Sequence, residues 1–230
     1  MWEAKFGGGF AMAFGKKIRL VIADDEPVAR AGIRAILSQA EDIEVVGEAP
    51  DGFEAQRLVE ELHPDIMTLD YQMPGPDPKD LERWVRENHP KTATLLLTAH
   101  DHTSRLVGMM EAGVAGYLKK GVPESTLVGS VRLAALGVVH FDEEQIALAR
   151  QWKEEVGQKW ENLSKREREV LKLLAIGAGN RLIASRLSIA PKTVEGHITR
   201  ILNKLGMSSC QQAGMWMVAH LPDEVAKNDW

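Results

Sequence analysis

The sequence predicts an α/β domain, a doubly wound five-stranded parallel sheet, followed by a small all-α domain. Three observations carry that expectation. Between Ile18 and Gly137, short β-branched runs alternate with helical patterns long enough to cross back over a parallel sheet. From Leu163 onward the strand runs vanish, and short helical patterns are broken by Gly177, Gly179, the Ala190-Pro191 pair and Gly206. Charge divides the same way. The 230-residue chain carries −5, yet residues 159–220 hold ten Lys/Arg against four Glu, a local +6 that leaves −11 elsewhere. Such asymmetry joins a basic module suited to a polyanion to an acidic one with a different task.

The strand candidates are IRLVIAD (18–24), IEVVGEA (43–49), DIMTLD (65–70), ATLLLTA (93–99) and AGYLKK (115–120). Each is followed by a helical pattern; in the first, Ala29, Ile33, Ile36 and Leu37 fall at i, i+4, i+7 and i+8 and define one apolar stripe. The first domain is therefore set at residues 17–137. Residues 138–162, containing FDEEQIALARQWKEEVGQKW, are charge-rich with some helical spacing and read as a partly helical linker. Residues 163–221 form the second domain, with four helices expected. Ser164 and Glu167 make a capping-box start for the first; the second covers Asn180 to Leu187, the third starts at Pro191 and reaches Leu205, and the fourth covers Ser208 to Leu221. Residues 1–16 read as an extension with little order and residues 222–230 as a tail.

Composition excludes several classes. With 44% hydrophobic and 27% charged residues the chain is neither a disordered nor a fibrous sequence. Its single cysteine, Cys210, has no intramolecular disulfide partner, which favours a reducing, cytoplasmic setting. No apolar run reaches the roughly 18 residues of a membrane span, so no membrane partner is expected. The opening MWEAKFGGGFAMAFGKK carries an early acid and places its lysines after the apolar part, unlike a signal peptide.

Ligands of an open parallel sheet bind outside the carboxyl ends of the strands. Asp24 and Asp25 follow strand one and Asp70 ends strand three. Three converging carboxylates repel one another unless a hard cation lies between them, and carboxylate oxygens suit Mg²⁺. Strand four ends in Thr98 and strand five in Lys119-Lys120, adding a hydroxyl and an ammonium at the same edge. Together they describe a receptacle for a phosphoryl group with a carboxylate as nucleophile.

These residues carry a family resemblance. D-D-E-P at 24–27, L-D-Y-Q-M-P-G at 69–75, L-T-A-H-D at 97–101 and G-Y-L-K-K at 116–120 make the domain resemble a two-component receiver of flavodoxin-like fold. The resemblance implies that Asp70 is the phosphoacceptor and that Asp24, Asp25, Asp70 and the backbone carbonyl of Gln72 hold Mg²⁺. It further implies that Lys120 contacts the phosphoryl group, that Thr98 and Tyr117 form a switch pair, and that Gln72 and His100 tune the lifetime of the acyl phosphate. Two departures stand out: Pro78 occupies a position usually held by glycine, and Lys119 replaces a residue that is usually apolar.

In the second domain, Val194, Ile198, Ile201, Leu202 and Leu205 form one stripe of the third helix, and the opposite face displays Lys192, Gly196, Thr199, Arg200 and Asn203. Two helices joined by a short turn, the second so divided, describe a helix-turn-helix whose small and polar face can approach double-stranded DNA. L-S-x-R-E-x-E-V-L, G-x-x-N with I-A-x-x-L, and K-T-V-E-x-H with K-L-G resemble the LuxR-type DNA-binding domain across residues 163–207. That resemblance implies DNA contacts from Lys192, Thr193, Glu195, Gly196, Thr199, Arg200 and Lys204. His197, near the stripe, is expected to have a structural or phosphate-adjacent role rather than to read bases. Ala190 lacks the usual capping hydroxyl, and Cys210 stands where a basic residue is common. The last helix, with its small and Met/Trp residues, suits either a partner helix, as the resemblance implies, or simple core packing.

The order of the two domains is similar to that of NarL/FixJ-type response regulators. It implies phosphoryl transfer from a sensor histidine kinase to Asp70, control of sequence-specific DNA binding and transcription, and a homodimer on DNA. No enzyme is expected beyond self-catalysed phosphorylation and dephosphorylation. Two alternatives use the same residues: a phosphorylation-independent DNA-binding regulator whose receiver is a dimerisation scaffold, and an Asp-nucleophile, Mg²⁺-dependent phosphatase. The latter expects a second acid two residues after the nucleophile, where Gln72 stands.

Overall fold

The computed structural model describes residues 16–99 and 102–226, so His100 and most of the 1–16 extension lie outside the described residues. The chain divides into two compact units, Met1–Ile146 and Ala147–Trp230.

In the first unit, β1 (Ile18–Ala23), β2 (Ile43–Ala49), β3 (Ile66–Asp70), β4 (Ala93–Thr98) and β5 (Gly116–Lys119) form one sheet. All pairs are parallel and the order is β2-β1-β3-β4-β5. The crossovers are α1 (Pro27–Leu37), α2 (Gly52–Leu62), α3 (Pro78–Asn88) and α4 (Thr103–Ala112), and α5 (Glu124–Ala135) follows β5. The period of two along each strand feeds two cores. Val21, Ala23, Met67, Leu69 and Leu96 pack with α2, α3 and α4, whereas Leu20, Ile22, Ile66, Leu95 and Leu97 pack with α1 and α5. Because both faces are covered, β1, β3 and β4 are largely apolar, and carboxylates follow β1 and end β3 while a hydroxyl ends β4.

Pro78 is accommodated at the first turn of α3, where its missing N–H costs nothing. Asp77 caps that helix, accepting a 2.8 Å hydrogen bond from the Lys79 N–H. The preceding turn depends on Gly75 at φ +123°, where a Cβ would come within 2.9 Å of the Gly52 nitrogen. Lys119, far from facing a core, is exposed.

Residues 138–162, expected as a partly helical linker, are divided between the units. His140 donates its N–H to the Ala115 carbonyl at 2.8 Å and Phe141 packs on the α2–α4 core, so the chain covers the edge of β5. The helix that follows is unbroken: α6 (Glu143–Trp152), a π-turn (Lys153–Gly157) and α7 (Gln158–Glu161). Its later part supplies Trp152, Val156 and Trp160 to the second core, and the Arg168 guanidinium stacks 4.8 Å from the Trp160 ring.

The second unit continues with α8 (Lys165–Ala175), α9 (Asn180–Arg186), α10 (Pro191–Leu205), α11 (Cys210–His220) and α12 (Pro222–Ala226). The Ser164/Glu167 capping box is present. Glu167 does more than cap, because it is 3% exposed and receives the Lys204 ammonium at 2.7 Å. Burial works against its charge, but Lys204 and the Ser164 N–H outweigh it and hold the carboxyl below its ordinary range. Removal of Lys204 leaves a buried carboxylate unpaired. Lys204→Met should therefore destabilise this unit by about 2 kcal/mol, measured by urea unfolding.

A second buried acid lies in the first unit. Glu82 on α3 is 2% exposed, and burial, only partly offset by the Thr94 hydroxyl and Arg86, pushes its pKa up to about 7. A carboxyl raised in this way binds more protons folded than unfolded, so stability falls as pH rises between its ordinary value of 4.5 and about 7. Glu82→Gln should be more stable than the parent at pH 8, by about 1–3 kcal/mol, with the gap closing toward pH 5. A gap independent of pH would contradict this assignment of Glu82.

Candidate functional site

The strand order brings the ends of β1 and β3 side by side, and the acids that terminate them meet there. One carboxylate oxygen from each of Asp24, Asp25 and Asp70 lies within 4.8 Å of the others. Asp24 and Asp70 are 1% and 4% exposed, and Asp25 opens to solvent. Their backbone is fixed locally: the Asp24 N–H donates to the Ala49 carbonyl at 3.0 Å, its Oδ1 accepts from the Glu26 N–H at 2.9 Å, and Arg30 donates to its carbonyl at 2.6 Å.

Lys120 enters from the end of β5. Its ammonium stands 2.9 Å from Asp24 Oδ2 and 3.0 Å from Asp70 Oδ2, with Glu26 at 3.9 Å. The Lys120 N–H donates to the Thr98 carbonyl at 2.7 Å, which ties the lysine to the end of β4. Burial disfavours the ammonium, but its close contacts with the Asp24 and Asp70 carboxylates prevail and raise its pKa. Asp70 moves the same way for a different reason. Burial raises it most; Lys120 and the Gln72 N–H only partly offset this, and Asp24 adds repulsion. A hard cation coordinated by these oxygens would relieve that repulsion, and a site of carboxylate oxygens fits Mg²⁺.

The structure thus joins Asp24, Asp25, Asp70 and Lys120 in one pocket. Thr98 is buried beside it at the end of β4. The Tyr117 ring is 2% exposed and turned into the α2–α4 core, and its carbonyl accepts from Gln145 Nε2 at 2.9 Å, a contact from the start of α6. The Gln72 side chain is exposed at the pocket rim. His100 lies outside the described residues. Sequence reasoning passed over Arg30, which holds the Asp24 backbone, and Arg105, which is 6% exposed with its guanidinium carbon 4.7 Å from the Tyr71 ring centroid. Neither carries a local signal, because only the fold brings their partners near.

In the second unit, Val194, Ile198, Ile201 and Leu205 of α10 are buried, and Lys192, Thr193, Glu195, Gly196, Thr199, Arg200 and Asn203 are exposed. Lys192 pairs with Glu195 at 3.2 Å, and the Thr199 hydroxyl donates back to the Glu195 carbonyl at 3.0 Å. A Cβ on Gly196 would meet nothing within 4 Å, so no neighbour within the chain requires a glycine there. Lys204 is drawn instead to Glu167 and to the Asn162 carbonyl, 2.9 Å away. Nδ1 of His197 is buried, facing the domain interior rather than the exposed face.

Residues 20–132 match the family model "Response regulator receiver domain", and residues 161–217 match "Bacterial regulatory proteins, luxR family". The oxygen regulatory protein NreC of a Staphylococcus aureus strain is 35% identical over 201 residues, covering 84% of this chain and 93% of that protein. The response regulator ChrA of a heme-sensing two-component system is 35% identical at a TM-score of 0.54, covering 87% of this chain and 96% of that one. The response regulator RcsB, solved in complex with DNA, is 25% identical at a TM-score of 0.61, covering 90% and 100%. With a five-stranded parallel receiver, a luxR-family helical domain and relatives matched along nearly their whole length, the chain belongs to the NarL-type two-component response regulators that control transcription.

Proposed function

We propose that Asp70 accepts a phosphoryl group from a phosphohistidine of a sensor kinase and that this modification controls DNA binding by α10. The observation that carries the reading is the Lys120 ammonium set between the buried carboxylates of Asp24 and Asp70 at the sheet edge. In the transfer, an Asp70 carboxylate oxygen attacks phosphorus, a P–O bond forms and the P–N bond to histidine breaks. Lys120 stands where it can pair with a phosphoryl oxygen, and the Thr98 hydroxyl is the nearby donor for another. Asp24, Asp25, Asp70 and the Gln72 carbonyl would hold Mg²⁺, which supplies charge neutralisation for the transferring group. Tyr117, buried in the α2–α4 core, would report the change through β5. Gln72 and His100 would set how long the acyl phosphate lasts.

Phosphate-affinity electrophoresis after incubation with Mg²⁺ and acetyl phosphate should retard the parent protein and not Asp70→Ala. Chelation of Mg²⁺ should abolish the retarded band. A retarded band of equal intensity in Asp70→Ala would remove Asp70 as acceptor. An Asp-nucleophile phosphatase would instead release phosphate from a generic phosphate ester with many turnovers, and failure to turn over such an ester disposes of that alternative.

For DNA, the proposed contact set is Lys192, Thr193, Glu195, Gly196, Thr199 and Arg200; Lys204 is omitted because its ammonium is held by Glu167. A glycine inside an exposed helix costs about 1 kcal/mol relative to alanine. With nothing in the chain to require it, Gly196 fits a surface that another molecule approaches closely. Gly196→Ala should stabilise the second unit by about 1 kcal/mol and weaken binding to duplexes selected with the parent protein. Arg200→Ala and Thr199→Ala should weaken the same binding and leave phosphorylation intact; unchanged binding in both would remove α10 as the reading helix. The RcsB–DNA structures, one of which contains two dimers on two DNAs, support a dimeric mode. The exposed Met215 and Val218 of α11 offer the apolar surface for it. Among the described residues no helix is long and apolar enough to cross a membrane, in keeping with a regulator that works on DNA in the cytoplasm.

A further inference from the structure

The residue that follows the acceptor is clamped from α4. Tyr71 is 7% exposed and Arg105 is 6% exposed, and the guanidinium carbon lies 4.7 Å from the ring centroid, within cation–π range. A buried guanidinium lacks water on most sides, so the ring face contributes to offsetting its desolvation. Tyr71 belongs to the same buried core as Leu81 and Val85 of α3 and Leu106 and Met109 of α4. The stack therefore ties the first residue after β3 to α4, the helix that follows β4.

We propose that Arg105 is a positioning residue for the acceptor loop. By holding the Tyr71 ring, it fixes the backbone where Asp70 and Gln72 leave β3, and the placement of α4 sets how well the acid cluster binds Mg²⁺ and takes up a phosphoryl group. This inference rests on the reading of Asp70 as acceptor and adds to it a regulation of that site. Because coupling between sites is reciprocal, any partner that shifts α4 would alter binding at the acid cluster as strongly as occupancy of the cluster alters α4. The sensitivity comes from preorganisation: a small misplacement of ligands and nucleophile is costly even when no catalytic group is removed.

The test uses the full-length chain carrying Arg105→Met, Arg105→Lys, Tyr71→Leu, Tyr71→Phe and the double Arg105→Met/Tyr71→Leu. Mg²⁺ affinity is measured by calorimetric titration with MgCl₂, and the phosphorylation rate with acetyl phosphate as donor. Arg105→Met and Tyr71→Leu should each weaken Mg²⁺ binding and slow phosphorylation roughly three- to tenfold. The double variant should be no worse than the poorer single. Arg105→Lys and Tyr71→Phe, which retain a cation and a ring, should recover most of the parent values, a rescue that loss of folding alone would not produce. Thermal unfolding identifies any variant that fails to fold; if Arg105→Met is one, the Tyr71→Leu and Tyr71→Phe pair decides. Parent-like values in the Met and Leu variants, multiplicative effects in the double, or equal impairment in Tyr71→Phe and Tyr71→Leu would overturn the proposal. If the parent protein takes up no phosphoryl group, the reading of Asp70 fails, and the Mg²⁺ titration alone decides the role of Arg105. A parent protein that binds no Mg²⁺ overturns the proposal as well.

Discussion

The Lys120 ammonium between Asp24 and Asp70 is the interaction on which the first domain turns. Two carboxylates that are 1% and 4% exposed would repel each other across the junction of β1 and β3 without a cation between them. The lysine comes from β5, two strands beyond β3 in the sheet, so the contact draws together the C-terminal ends of β1, β3 and β5. Its own N–H holds the end of β4 through the Thr98 carbonyl. Charge added to or taken from this cluster must be rebalanced by movement of Lys120 or of the strand ends to which it is bound. Such a cluster suits the proposed switch: Asp24, Asp70 and Lys120 depend on one another, and the sheet beneath them is packed on both faces.

Much of this was legible in the sequence because both kinds of element announce their period. The five strands lie within a residue of their expected limits, since runs such as IRLVIA and ATLLLT end abruptly at a charged or polar residue. The pocket was legible for the same reason, as Asp24, Asp25, Asp70 and Lys120 are the residues that interrupt those runs. Glu82, Arg105 and Lys204 were not. A pattern reading assigns charge to the solvent side, whereas Glu82 and Arg105 are buried, and two of the three groups meet partners distant in sequence: Arg105 meets Tyr71 and Lys204 meets Glu167. The linker, expected as partly helical, is helical from Glu143 to Glu161 although its apolar residues are sparse. Trp152, Val156 and Trp160 complete a core that α8 to α11 leave open, and the helix persists because of that packing.

The second domain divides its labour along one helix. The inner stripe of α10 is fixed by α8 and α9, and Lys204 pins its last turn to the start of α8 through Glu167. That anchoring leaves the outer face free of structural duty. Lys192 and Arg200 lie in solvent, and Gly196 leaves open space where a side chain would stand. A face that forgoes helix propensity without an internal need suits close approach to a groove, with the two cations placed for phosphate.

The most direct measurement of the whole account is the affinity of the parent protein for a selected duplex before and after treatment with Mg²⁺ and acetyl phosphate, with Asp70→Asn treated in parallel. The account predicts binding about tenfold tighter after treatment of the parent, within the usual range of coupling between sites, and no change in Asp70→Asn. Equal affinity before and after a verified phosphorylation, or the same gain in Asp70→Asn, would contradict it and leave the receiver as a scaffold indifferent to phosphate.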